Sequence, residues 1–492
     1  MGTISDERPE APGTTEHLCR WIHHLQFDDV PEDIRTRAKH LILDGLACAI
    51  VGAYMPWSEH AASSMQAFEP NGNATIFGHP YKLGPLAAAL LNGAFIQACE
   101  LDDYHHEAPL HSASVILPTL FAASESQSHA RPPAPVTGST FLLASIVGFE
   151  VGPRAGRALY GTELLSMGWH CGTVFGHPAS AAAASKLFAL SARQTEDAVG
   201  IACTQACGLM SAQYEGMIKR MQHGFAARNG LLGAFLAKGG YEGIRKVFER
   251  PYGGFLTMFS KGNSRTPAYM VEEVTKGLGT TWDTAEVRIK THACVGGAYG
   301  LVECIEKMQK EKPEELKDLQ AIKGIRLELS KPLIGHCGWT ATRPMTATGA
   351  QMNANYIAAV QLVDQEVLLE QFEESKLDRD EVWELVEKTV CVHNERFDRL
   401  SYEMGAVVTI EFKDDRLSLQ KVVEKPRGID PPIANEEIVE KYRRLTANLL
   451  PRDRQIAIEK TVLNLEKLDN VITLTSLLSQ PFKLDHSVRP KI

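Results

Sequence analysis

Apolar and polar positions divide the chain into three textures. From about residue 15 to 280, apolar residues recur at helical spacing, as in 34–51 (IRTRAKHLILDGLACAIV), 83–100 (LGPLAAALLNGAFIQACE) and 140–151 (TFLLASIVGFEV). The second and third are apolar nearly all round, the pattern of helices buried within a bundle. Further helices are predicted over 180–190, 195–209, 225–238 and 271–277, punctuated by Pro and Gly without a long linker. Near 285 β-branched residues begin to alternate or cluster in strand-length runs, at 287–290, 324–329, 406–412 and 417–423. Helical stretches 300–310 and 356–369 lie between them, and the last two strands, joined across 413–416, predict a hairpin. After a turn at 426–432, amphipathic helices return at 435–450 and 454–466. The order predicts a mostly α fold with an inserted α+β domain: 1–284 and 428–492 form a large helical domain from both chain ends, and 285–427 the smaller domain.

Composition narrows the function. The chain has 492 residues, 44% hydrophobic and 23% charged, the balance of a soluble globular protein with more than one core. Sixty acids against 51 bases give a net charge of -9 without a dense Lys/Arg stripe, which argues against nucleic acid or an anionic membrane as partner. No apolar run reaches the roughly 18 residues of a membrane span. Ten cysteines without a CxxC pair exclude a zinc ribbon or a compact iron–sulfur run, and reduced thiols are expected. The acidic N-terminus reads as neither a secretory signal nor a transit peptide, Asp6 breaks the myristoylation pattern, and Pro490-Lys491-Ile492 is no peroxisomal signal, so cytoplasm is expected. The P-loop, GxGxxG and GxSxG motifs are absent.

Five segments carry candidate chemistry. Glu100-Leu-Asp102-Asp103-Tyr104-His105-His106-Glu107-Ala-Pro109-Leu-His111 follows an apolar helix and is dense in groups that ionise. It suits a solvated acidic loop, a metal site or a metal-free acid/base site, though no recognised ligand spacing is matched. His170 stands among small residues in Gly168-Trp169-His170-Cys171-Gly172, where backbone and ligand approach closely. Lys219, Arg220 and Arg228 surround the start of the helix predicted from 225. Helix N-termini disfavour cations, so these make sense if an anion completes the site. Lys290 leads off a strand into Thr291-His292-Ala293-Cys294-Val295-Gly296-Gly297, and His336 lies in a glycine-framed loop, Gly335-His336-Cys337-Gly338-Trp339.

In combination, LILDGLACA, ELDDYH with EAPLHSAS, GWHCG, GIACTQACGLMSAQY, QHGFAARNGLLG, GNSR and HCGW resemble the MmgE/PrpD family over nearly the whole chain. That family contains 2-methylcitrate dehydratases and cis-aconitate decarboxylases, and the nearest resemblance is to its fungal decarboxylases. The resemblance implies a helical domain with an α+β lid, a homodimer, a tricarboxylate substrate, and no metal or organic cofactor. It implies Asp102 or Asp103 with His111, His170, Lys219 and Lys290 as catalytic residues; His105, Arg228, Tyr299 and His336 are expected to bind substrate. The chain departs from the decarboxylase pattern after Lys290: a Cys becomes Val295, Leu-Val becomes Gly297-Ala298, and a His becomes Tyr299. Extra room beside Lys290 would suit a bulkier substrate. Dehydration of a 2-alkylcitrate by general acid/base catalysis is therefore expected first, with decarboxylation of cis-aconitate to itaconate as the alternative.

Overall fold

The computed structural model describes residues 13–399, 403–414 and 416–482. Asp6 and Pro490–Ile492, on which the targeting reading leaned, lie outside the described residues, as does Asp415 in the predicted hairpin turn. Most described residues are helical. The Ile218–Lys238 helix is the axis of the bundle and packs on Cys171–Leu187, Pro85–Gln97, Ala192–Cys203 and Ser112–Ser128. The all-apolar pattern of 83–100 has its predicted consequence: in the Pro85–Gln97 helix every residue from Ala87 onward is buried. Small residues permit close crossing, for a Cβ on Gly224 would come 2.1 Å from the Leu90 carbonyl oxygen. Near the C-terminus, Asn435–Thr446 packs on Glu32–Gly52.

Three of the predicted strands join a fourth in a sheet of order Thr389–His393, Ile322–Leu329, Ala406–Phe412, Leu419–Val423. Alternation in Ile322–Leu329 turns Ile325, Leu327 and Leu329 inward, and the helices Tyr299–Glu311, Ala354–Asp364 and Asp380–Glu387 pack against the sheet and one another. The hairpin partners pair antiparallel, Ala406 opposite Val423. Thr389–His393, not predicted, pairs parallel to Ile322–Leu329, which requires the long helical crossover between them. Two expectations are corrected: 271–277 holds a single 3-10 turn, Val271–Val274, and the strand expected over 287–290 is only Val287–Arg288. That short strand pairs antiparallel with Tyr104–His105, so the loop before Lys290 is tied to the loop after Glu100.

The Asn435–Thr446 helix also reaches that loop. Lys441, 8% exposed, donates to the Leu101 carbonyl at 2.6 Å and pairs with buried Asp44 at 2.6 Å. Removing one partner strands the other charge in the interior. Lys441→Ala should cost about 3–5 kcal/mol of unfolding free energy, and adding Asp44→Ala should recover part of it. A urea-denaturation double-mutant cycle measures this; additive losses would mean that the pair is uncoupled.

Candidate functional site

A cavity lies where the bundle meets the loop after Lys290. The bundle contributes Glu100, His111, His170 and Lys219 to its wall, and the later segments contribute Lys290, Val295, Leu333, His336 and Glu403. Of the residues predicted to bind or catalyse, His111, His170, Lys219, Lys290 and His336 line this one cavity.

At its centre is a residue that sequence reasoning passed over. Glu100 follows the Pro85–Gln97 helix with φ 55, in the left-handed region, and is 2% exposed. Lys219 donates to its Oε1, Arg220 to Oε1 at 2.5 Å and Lys290 to Oε2 at 2.8 Å, while Gln97 donates to Oε1 at 2.8 Å. Burial alone would raise this carboxyl, but Lys219, Lys290 and Arg220 hold it well below the usual carboxylate range. Burial pushes the Lys219 ammonium down to about 8, against the opposing pull of Glu100. The helix begins at Ile218, so Lys219 and Arg220 occupy its first turn. The anion that cations at a helix N-terminus demand is thus the chain's own carboxylate. Arg220 also donates to Gln351 Oε1 at 2.6 Å, and Gln351 donates to the Cys99 and Ala293 carbonyls at 3.1 and 2.8 Å. One amide therefore fixes the Glu100 loop, the Lys290 loop and Arg220 together.

Three imidazoles stand beside this cluster. His111, the N-cap of Ser112–Ser128, has Nδ1 3.2 Å from Asp102 Oδ1. His170, the N-cap of Cys171–Leu187, bonds through Nδ1 to Gln222 Oε1, and Gln222 donates its amide to the Leu209 carbonyl at 3.1 Å. That orientation of Gln222 makes its oxygen the acceptor, so His170 Nδ1 carries the hydrogen and Nε2 is left unprotonated. His223 is wedged between them, its ring 5.0 Å from His111 and 4.8 Å from His170. Ser114 Oγ donates to the His111 carbonyl at 2.9 Å and meets His223 Nδ1 at 2.7 Å. Burial pushes both His170 and His223 well down, toward the neutral form. His336 is pushed down to about 4 by burial and by Lys219; it sits in the helix Lys331–Cys337 rather than in the loop the glycines suggested.

Five predicted site residues do not line the cavity, among them Asp102, which stands behind His111. Asp103, fully buried, accepts from the Ala113 amide at 2.9 Å and so caps the helix that His111 opens. Burial and Asp102 push its carboxyl well up, and Asp102 alone faces His111. His105 points away because neighbours on a strand face opposite sides: Tyr104 lines the cavity, and His105 Nε2 lies 3.3 Å from Asp283. Arg228 folds over the Phe225 ring at 5.2 Å and donates to Asn229 at 3.0 Å. The Tyr299 hydroxyl accepts from the Thr291 and His292 amides and donates to the His292 carbonyl, bracing the loop from behind. The extra room expected at Gly297 is filled, since a Cβ there would lie 2.2 Å from a Leu333 methyl. Among the described residues, no group of three His, Cys, Asp or Glu is placed to hold a metal ion.

The MmgE/PrpD N-terminal domain matches residues 16–267 and the MmgE/PrpD C-terminal domain residues 292–467. A cis-aconitate decarboxylase-like protein of Aspergillus oryzae is 54% identical over 480 residues, 97% of this chain and 99% of its own. The cis-aconitate decarboxylase of Aspergillus terreus is 52% identical over 477 residues, 96% of this chain and 97% of its own. The human cis-aconitate decarboxylase is 27% identical over 478 residues, 95% of each chain.

The imidazole wedge depends on a missing side chain. A Cβ on Gly172 would come 2.2 Å from His223 Nε2. Gly172→Ala should therefore lower stability by about 1–3 kcal/mol, measured by urea unfolding. Wild-type stability would mean that the ring has room to move.

Proposed function

This chain belongs to the MmgE/PrpD family, and from that premise we propose that it is a lyase that decarboxylates cis-aconitate to itaconate and CO2. The observation that carries the reading is 54% and 52% identity, across nearly the whole chain, to proteins named for that activity. The cavity chemistry supports it. Two carboxylates of the substrate would be held by Lys219 and Lys290, which Glu100 aims. The bond to the third breaks, and its electron pair forms the terminal double bond. The original double-bond pair moves to the carbon beside a retained carboxylate. The same cations stabilise that enolate-like charge until a proton reaches the carbon. His111, with Asp102 behind it, and His170 flank the substrate.

A second reading, dehydration of a 2-alkylcitrate to an alkylaconitate, is favoured by one feature. The unprotonated Nε2 of His170 is a base, which dehydration needs and decarboxylation does not. Against it, the room that Gly297 was expected to provide for an alkyl group is taken by Leu333.

The reading further treats 285–427 as an α+β lid on a helical domain and the protein as a cytoplasmic homodimer that needs no metal or organic cofactor. Among the described residues no single helix is long and apolar enough to cross a membrane.

Mass spectrometry of the protein incubated with cis-aconitate should detect itaconate. Lys219→Ala and His111→Ala should each cut its formation by at least ~10²-fold, and dialysis against EDTA should leave it unchanged. Loss of water from a 2-alkylcitrate with cis-aconitate untouched would establish the second reading instead.

A further inference from the structure

Decarboxylation consumes one proton per turnover, and that proton must be delivered to carbon. Most cavity groups are unsuited to give it. Lys219 and Lys290 are bound to Glu100. His170 spends its one ring hydrogen on Gln222, and His336 is held neutral. The Tyr104 hydroxyl points at Met404 Sδ at 3.7 Å, the Cys171 thiol at the Gly161 carbonyl at 3.7 Å, and burial makes both weaker acids.

Glu403 is different. It lines the same cavity. Among the described residues its carboxyl makes one hydrogen bond, a long one of 3.5 Å accepted from the Thr162 hydroxyl, and no ion pair. Its backbone is fixed, because Ser330 Oγ donates to the Glu403 carbonyl at 2.9 Å. The charged groups nearest it are already engaged: Arg265 pairs with Glu163 at 3.0 Å, and Asp398 with His393 at 2.8 Å. The cavity's other carboxylate, Glu100, is committed to three cations, so Glu403 is the carboxyl left free to act on a ligand.

We propose that Glu403 is the acid that protonates carbon. The step rests on the decarboxylation reading and balances as follows. The bond to the departing carboxylate breaks and releases CO2, and its pair becomes the new terminal double bond. The old double-bond pair takes the proton from the Glu403 carboxyl, leaving a carboxylate that solvent re-protonates before the next turnover. Burial raises this carboxyl to about 7, with Asp398 and Glu163 adding to the rise and Thr162 and Arg265 opposing it. An acid poised there keeps its proton near neutrality. A group that must be protonated loses effect as pH rises through its own value, so turnover should fall with rising pH through about 7.

The test is Glu403→Gln, which keeps the shape and the acceptor for Thr162 but has no acidic proton. CO2 release from cis-aconitate should fall by about 100-fold or more, with KM within about threefold. The fall in activity around neutral pH should vanish from what remains, and Glu403→Asp should be intermediate. In D2O the wild type should place one deuteron on a single face of the new methylene, and Glu403→Gln should lose that selectivity. Difference infrared spectra of wild type against Glu403→Gln should contain a carboxyl band that titrates near neutrality, whichever reaction the enzyme performs. Wild-type CO2 release together with an unchanged rate and pH profile in Glu403→Gln would overturn the proposal and leave the decarboxylase reading standing. A wild type that releases no CO2 from cis-aconitate would overturn both.

Discussion

A buried carboxylate held by three cations is the constraint on which the site depends. Lys219, Arg220 and Lys290 reach Glu100 from 119, 120 and 190 residues away along the chain. A cluster of like charges that deep would be costly without an opposite charge among them. Three cations against one carboxylate leave two positive charges uncompensated. Two is also the number of carboxylates that itaconate retains. Under the proposed decarboxylation, the cluster would match the two carboxylates that stay, with no cation of its own for the one that leaves. The left-handed backbone at Glu100 is the local cost of placing the carboxylate where all three cations meet.

Around that cluster the imidazoles are fixed by hydrogen bonds that settle their tautomers. Gln222 makes His170 a base toward the cavity, and Ser114 ties His223 to the backbone of His111. Gln351 links the two loops that carry Glu100 and Lys290. None of these three polar residues touches the cavity, yet each orients a group that does, which is how a site gains precision beyond its own lining.

Much of the fold was legible because burial writes itself into composition. The all-apolar run ending near Gln97 reads as an interior helix, and the pattern in 324–329 as a strand, which the structure extends back to Ile322. Ser112–Ser128 was harder, since it opens with polar residues and contains Pro118, which reads as a breaker. In the site, the residues that line the cavity were readable where small neighbours advertised them, as at His170, or where cations clustered at a helix start, as at Lys219. Glu100 was not, because an acid at the end of a helix looks solvated until the distant cations are in place. Asp103 and His105 misled because they sit in the right segment on the wrong face, and a strand of two residues is too short to announce its alternation. His223 and Gln222 sat unremarked in the basic segment, since nothing local says that they face His170.

Glu100 aims Lys219 and Lys290 rather than merely neutralising them. The most direct measurement is calorimetric binding of tricarballylate, a saturated tricarboxylate that can lose neither CO2 nor water, to wild type and to Glu100→Gln. The substitution adds one net positive charge to the cavity, so charge alone would tighten binding. Binding should instead be about 10-fold weaker, because the lysines lose the carboxylate that fixes them. Equal or tighter binding would contradict that role of Glu100.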